Sequence, residues 1–253
     1  VTATALSSTE RQPELVGQTV VVIGGSSGIG LETARRARSE GAEVVLTGRN
    51  PARLEHAGKE VGALSTAAFD ATDRAELERF FKDLAHPIDH VMVTAGGSYY
   101  APLAEMDFAK VSRALDEHVL LPLQIARQGA AKMRPGGTLV FMTGLGARRP
   151  GIGLAVAAIL AAALPALTAN LALEVAPVRV NLIAAGFVDT PLSASALGEG
   201  LEARRKQLRA ALPIRRVVGP ADVAALAMHL MTNTALTGTT YDIDGGEQLV
   251  SGA

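Results

Sequence analysis

The sequence predicts one α/β domain, a doubly wound parallel sheet with helices on both faces. Three observations carry this reading. A β-branched run, Thr19-Val20-Val21-Val22-Ile23, ends in a glycine-rich turn, Gly24-Gly25-Ser26-Ser27-Gly28-Ile29-Gly30, and an amphipathic helical pattern follows from Leu31 to Arg38. Apolar strand-like runs then alternate with helical patterns across short connections, the rhythm of β-α-β units with buried strands. The length, 253 residues, suits a single domain of this class.

In chain order, the apolar run at 19–23 is the first strand and 28–39 the first helix. Strand 43–47, a helix at 51–60, strand 64–69 and a helix at 73–84 repeat the unit. Strand 90–94 leads into a long helix across 107–133 and then strand 137–142. An alanine-rich helix, strand 178–184, a polar loop with a helix ending at Leu212, a helix at 220–231 and a last strand at 239–244 complete the pattern. Residues 1–18 are polar and mixed and read as a loose, flexible arm, which leaves 19–253 as the single domain. The widest loop, 187–200, is rich in Ser, Ala and Gly. It is expected to lie over the site, because ligands on doubly wound sheets sit at the carboxyl ends of the strands.

Composition narrows the function classes. A net charge of −1 supplies no field for nucleic acid or acidic membranes. The absence of cysteine removes thiolate nucleophiles and Cys-ligated metals, and it agrees with the expected cytoplasmic location. His56, His86, His90 and His229 show no ligand spacing, so no metal site is expected. From Gly151 to Leu173 there is no charged residue, a length that can span a bilayer. Its alanine content, the interruption by Pro165, and the polar Thr168 and Asn170 argue instead for a helix buried all round, in part against a second subunit.

A strand that feeds a tight glycine turn and then a helix N-terminus is a phosphate site. Backbone N–H groups point out of the turn, and the helix dipole favours the anion. Gly24 allows the sharp exit from the strand, Gly28 leaves room for a pyrophosphate against the backbone, and Gly30 lets the helix pack on the strand. At the end of the second strand, where an acid would hold a ribose 2′-hydroxyl, the chain reads Leu46-Thr47-Gly48-Arg49-Asn50. Arg49 can pair with a 2′-phosphate, which favours NADP(H) over NAD(H); the alternative is a solvated turn residue. Asp70 and Ala71, after the third strand, either bound the adenine ring or serve the next helix, with Asp70 as its cap.

These residues resemble the short-chain dehydrogenases/reductases, over nearly the whole chain from about Gly17 to Gly246. Ile23-Gly24-Gly25-Ser26-Ser27-Gly28-Ile29-Gly30 is similar to the family's T-G-x-x-x-G-I-G loop, with Ile23 for Thr. Val93-Thr94-Ala95-Gly96 resembles its N-N-A-G motif with both asparagines replaced. The run from Val178 through Asn181 to Gly186 and Pro191 resembles R-V-N-x-I-x-P-G, with Ala185 for Pro, and Ile243-Asp244-Gly245-Gly246 resembles the closing V-D-G-G. The resemblance implies a Rossmann-type fold and a nicotinamide cofactor. It implies cofactor contacts from Gly24, Ser26, Ser27, Gly28, Ile29, Gly30, Ala95 and Gly96, with Val188 and Thr190 at the nicotinamide carboxamide.

The catalytic part of the family pattern does not carry over. The family uses Tyr-x-x-x-Lys, one helical turn apart so that both side chains share a face, with a serine on the preceding strand and an asparagine on the long helix. Aligning Leu167-Thr168-Ala169-Asn170-Leu171-Ala172-Leu173-Glu174 with the family's L-T-x-x-L-A-x-E places Ala157 at the tyrosine and Ala161 at the lysine. Gly144, beside Thr143, takes the serine position, and His118 the asparagine position. The tyrosines are Tyr99, Tyr100 and Tyr241, and no lysine lies between Lys132 and Lys206, so no shift of register restores the pair. His118 is then either a proton donor suited to neutral pH or a packed helix histidine. Tyr99 and Tyr100 either donate a proton or form an apolar wall. Arg148 and Arg149 either hold an anionic substrate or form a solvated turn.

Two functions fit. One is an NADP(H)-dependent oxidoreductase acting by hydride transfer on a small molecule that needs little proton help. The other is a catalytically inactive NADP(H)-binding regulator or structural partner of an active relative. Both expect a homodimer or homotetramer, because Ala158, Ala162, Ala163 and Ala166 permit close helix approach and no charge appears until Glu174.

Overall fold

The strand β1 (Thr19–Ile23) is buried at every residue, and alternate side chains serve the two faces. Val20 and Val22 pack with α1 (Gly28–Ser39), α2 (Pro51–Val61) and α9 (Pro220–Thr232) on one side. Val21 and Ile23 face α3 (Arg74–Asp83), α5 (Leu121–Gly129) and α6 (Ala155–Glu174) on the other. Period-two alternation therefore feeds two apolar layers from one strand. The computed structural model describes residues 14–97 and 99–250.

The remaining strands are β2 (Glu43–Gly48), β3 (Ser65–Ala68), β4 (Ile88–Val93), β5 (Met133–Gly144), β6 (Arg179–Ala185) and β7 (Thr240–Ile243). They form one seven-stranded sheet in the order β3-β2-β1-β4-β5-β6-β7, and every pairing is parallel. The order reverses between β1 and β4, which puts the ligand crevice above their carboxyl ends.

Several elements differ from the sequence expectation. The long helix at 107–133 is α4 (Phe108–Leu115), a π-helical turn (Asp116–Leu120) and α5, ending at Gly129. The strand expected at 137–142 begins at Met133. Pro165 does not interrupt the alanine-rich segment, because α6 runs unbroken from Ala155 to Glu174 around it. That helix is long and apolar enough to cross a membrane, yet Val156, Leu160, Leu164 and Leu171 lie in the core beneath it. Loop 187–200 contains a further helix, α7 (Pro191–Leu197), capped by Thr190, with α8 (Leu201–Ala211) after it.

Residues 1–13 of the expected arm lie outside the described residues. Residues 14–18 are docked. Leu15 is fully buried, and its amide donates to the Glu40 carbonyl at 2.9 Å. Gln18 Oε1 meets His90 Nε2 at 2.6 Å across the amino end of the sheet.

That contact fixes the state of His90. The ring is 3 % exposed, and among the described residues Nδ1 has no partner. A proton there would be a buried donor with no acceptor. Burial, reinforced by the charge of Arg179, pushes the His90 pKa down to about 3. The unfolded chain takes up this proton near the ordinary imidazole value of about 6.5. The stabilisation from a neutral His90 is thus complete above pH 6.5 and is lost as the pH falls from there toward 3. The unfolding free energy of the wild type should fall relative to His90→Gln by about 1.4 kcal/mol per pH unit below 6.5. Denaturant melts of both proteins from pH 8 to 5 check this, and a constant difference would mean that the folded protein carries a charged His90.

Candidate functional site

The turn between β1 and α1 is set by close approach. Gly24 has φ +97°, and a Cβ there would lie 2.6 Å from the Ala95 amide nitrogen. At Gly30 a Cβ would lie 2.5 Å from both the Gly24 carbonyl oxygen and Thr94 Oγ1. The first strand, the first helix and the end of β4 meet here, with only the Thr94 hydroxyl among the backbone atoms. Hydrogen bonds hold the junction: the Thr94 and Ala95 amides donate to the Ile23 carbonyl at 2.8 and 3.0 Å, and the Thr94 hydroxyl donates to the Gly24 carbonyl at 3.2 Å. Thr94 thereby ties the two strand ends together from a position where the family resemblance expects asparagine.

The N-terminus of α1 is open to an anion. Ser27 is the N-cap but makes no side-chain cap bond, and the first turn holds no acid. The first amides of a helix lack partners within it, so those around Gly28, Ile29 and Gly30 are left for an outside acceptor. Gly28 has φ +55° and faces the Thr190 side chain, 3.6 Å from where its Cβ would be. The start of α7 thus lies against the phosphate turn. Thr190 Oγ1 accepts the Ser193 amide at 3.2 Å, so this hydroxyl is also the α7 cap. Val188 is buried and bridges Val218. Ser26, buried, packs against Gly48 at the end of β2, which brings Arg49 beside the turn. These residues fit the pyrophosphate and ribose of a dinucleotide: a cradle that a Cβ would fill, free helix amides and an adjacent cation.

Asp70 is not the helix cap. Asp73 caps α3 through the Ala75 and Glu76 amides. Asp70 instead accepts from the Thr72 amide and hydroxyl at 3.0 and 2.9 Å and from Arg113 Nη2 at 2.9 and 3.1 Å. Burial would raise its carboxyl, but the Thr72 and Arg113 donors outweigh that and hold it below the usual value. Arg113 also donates through Nε to Glu117 at 2.7 Å. Glu117 in turn accepts the Gly97 amide at 3.0 Å, and its Oε1 is 3.9 Å from Arg49 Nη1. Sequence reasoning missed both Arg113 and Glu117; their i, i+4 spacing was the one available signal.

His118 lies in the π-helical turn. Its Nε2 is 3.2 Å from the Gly97 carbonyl, and its ring abuts Gly96, whose φ is +123°. It therefore packs on the loop after β4, beside Ala95 and Gly96. The Tyr99 hydroxyl accepts the Asp107 amide at 2.6 Å, so it is engaged in securing the start of α4. The two arginines read as anion holders or a solvated turn are exposed in the turn after β5, and each is paired within the protein. Arg148 pairs with both oxygens of Asp242 at 2.6 and 2.9 Å, and Arg149 donates to the carbonyls of Glu247, Gln248 and Val250.

A cleft of about 410 Å³ opens between the loops after β4 and β5 and the start of α6. Leu103, Pro150, Ile152, Leu154, Ala155 and Ala158 line it. It is apolar, and the arginine on its wall, Arg149, is already paired. On the other side, the segment after β6 is anchored. Asp189 pairs with Arg205 at 2.7 and 2.8 Å, and Glu247 takes Arg204 at 2.7 Å and the Phe187 amide at 2.9 Å.

With this geometry in place, comparison with known proteins is direct. The family model described as enoyl-(acyl carrier protein) reductase matches residues 23–248. The short-chain dehydrogenase/reductase ATR9 of Stachybotrys chlorohalonatus is 32 % identical over 255 residues, covering 92 % of this chain and 98 % of that protein. The structure of the MalC reductase/Diels-Alderase from Malbranchea aurantiaca superposes with a TM-score of 0.87 at 25 % identity, over 94 % of this chain and 99 % of that one. A small-chain dehydrogenase in complex with NADPH superposes with a TM-score of 0.78 at 27 % identity, over 92 % and 99 %. From the glycine turn to the last strand, sequence and fold agree: the chain belongs to the short-chain dehydrogenase/reductase family.

Proposed function

We propose that this protein is an NADP(H)-binding oxidoreductase that transfers hydride without a tyrosine–lysine acid–base pair. The observation that carries the proposal is the phosphate turn at Gly24–Gly30 with Arg49 at its side. The NADPH complex of a structural relative supports the choice of cofactor. Gly28, Ile29 and Gly30 hold the pyrophosphate through backbone amides, and Arg49 meets the 2′-phosphate. Ala95 and Gly96 bound the adenosine, and Val188 and Thr190 hold the nicotinamide carboxamide. When bound, the nicotinamide supplies the hydride.

The segment Ala155–Glu174 contains no phenol and no ammonium. Side-chain acid–base help is typically worth ~10²–10⁴ in rate, so an ordinary ketone is a poor substrate on this reading. An electrophile that carries its own activation, such as an iminium or a conjugated alkene, is a good one. The iminium needs no proton at all, and for the alkene the donor is His118, packed on the loop after β4. The apolar cleft fits the carbon skeleton of such a molecule. One structural relative is itself described as a reductase.

Three measurements test this. Titration of nicotinamide fluorescence should show NADPH binding about tenfold or more tighter than NADH, and Arg49→Ala should remove most of that difference. Equal affinities would defeat the NADP(H) assignment, and no binding of either nucleotide would defeat the whole reading. In single-turnover oxidation of bound NADPH, cyclic iminium ions should react at least ~10²-fold faster than matched ketones, with His118→Ala affecting enones and sparing iminium ions. Tight binding with no turnover on any of these classes would leave a regulatory, non-catalytic role.

The proposal includes a homodimer or homotetramer. Ile159 and Leu173 on α6 are 53 % and 80 % exposed, and Ala162, Ala163 and Ala166 lie open between them. An apolar stripe of this kind is costly to leave in water. Light scattering at micromolar concentration should give a dimeric or tetrameric mass, and Ala163→Arg should shift it toward monomer. A monomeric wild type would refute this part.

A further inference from the structure

Two arginines and two carboxylates meet beside the ribose end of the phosphate turn, and they are not equivalent. Arg113 is fully committed. Its Nε donates to Glu117, its Nη1 to the Thr72 hydroxyl at 2.9 Å, and its Nη2 to both oxygens of Asp70. The Glu117 side chain is only 10 % exposed, and it is pinned by the Gly97 amide and Arg113. Arg49 stands apart: its side chain is 64 % exposed, and it reaches Glu117 Oε1 at 3.9 Å, too far for a hydrogen bond. One cation is thus locked, and the other rests loosely against a buried acid. The four groups sum to zero charge, so an incoming dianion meets no net positive field from them.

We propose that Glu117 is a specificity-determining residue that competes with the ribose 2′-phosphate for Arg49, and so sets how strongly NADP(H) is preferred. This rests on the role given to Arg49 above. In the structure Arg49 rests against Glu117. A 2′-phosphate draws it away, while Arg113, shared between Glu117 and Asp70, cannot follow. The carboxylate left behind still repels the phosphate. A nucleotide without that phosphate leaves Arg49 where it is and gains nothing from the exchange.

The test is a two-by-two set of wild type, Arg49→Ala, Glu117→Gln and the double variant, titrated with NADPH and with NADH by nicotinamide fluorescence. Glutamine removes the charge and keeps one acceptor oxygen, for either the Gly97 amide or Arg113, with its amide nitrogen turned toward the other. Glu117→Gln should tighten NADPH about three- to tenfold and leave NADH within about twofold. In the Arg49→Ala background the gain should fall to less than half, which is the coupling the proposal requires. Three results would overturn it: equal weakening of both nucleotides, meaning that Glu117 only supports the loop after β4; weakening of NADH alone, meaning that Glu117 accepts a ribose hydroxyl; or an undiminished gain without Arg49. Failure of the Arg49 assignment shows separately, as an unchanged NADPH affinity in Arg49→Ala alone. If thermal melts show that Glu117→Gln does not fold, Glu117→Asp withdraws the charge from Arg49 while keeping it. That variant should also tighten NADPH, and an unchanged affinity would count against the proposal.

Discussion

The carboxyl edge of the sheet depends on one packing constraint: three pieces of backbone meet with no Cβ between them. Gly24 abuts the Ala95 amide, and Gly30 abuts the Gly24 carbonyl and the Thr94 hydroxyl. Core packing tolerates small volume changes poorly, and here every neighbour but the Thr94 hydroxyl is main chain, which cannot change rotamer. The approach aims the N-terminus of α1 at the crevice and sets the loop after β4 beside it. Everything placed later in the sequence, from Glu117 to Thr190, is positioned relative to that junction.

The second level of organisation is polar. The π-helical turn at Asp116–Leu120 interrupts what would otherwise be one helix, and such turns often mark functional sites. It carries a buried acid and a histidine at consecutive positions, both bonded to Gly97, one through the amide and one through the carbonyl. The loop after β4 is therefore clamped from a single turn. Arg113 then links the clamp to Asp70 and the third strand. Across the crevice, Glu247 and Asp189 perform the matching task, binding the segment after β6 to α8 and to the chain's last loop. The crevice has charged anchors on both walls, and almost all of their charge is spent internally.

Much of this was legible in the sequence, for physical reasons. The strand runs of Val and Ile, the glycine turn and the alternating rhythm are local signals, and they located the sheet, its topology class and the tight junction of β1 with α1. What was not legible depends on partners far away in the chain. Arg148 and Arg149 face solvent as their composition suggests, but their partners, Asp242 and the carbonyls of residues 247–250, lie about a hundred positions away. Asp70 has the composition of a cap, but Asp73 has the register. Leu15 reads as part of a polar arm because one apolar side chain carries no period. Pro165 reads as a break because proline removes an internal hydrogen bond, yet packing of α6 against the sheet holds the helix through it. The π-helical turn has no sequence signature, and with it the pairing of Glu117 was hidden.

The composition of α6 bears on the chemistry proposed for the site. On the proposed reading, α6 presents methyl groups where a phenol and an ammonium would act, and the cleft beside it is apolar. Such a surface cannot move a proton or stabilise a developing oxyanion, so it gives no transition-state help to a neutral carbonyl. An iminium asks for neither: hydride addition neutralises it while the nicotinamide ring takes up the positive charge, so no oxyanion forms and no proton is needed. An apolar α6 is therefore consistent with selection for a different electrophile, with the catalytic task reduced to holding the nicotinamide and the substrate in one geometry.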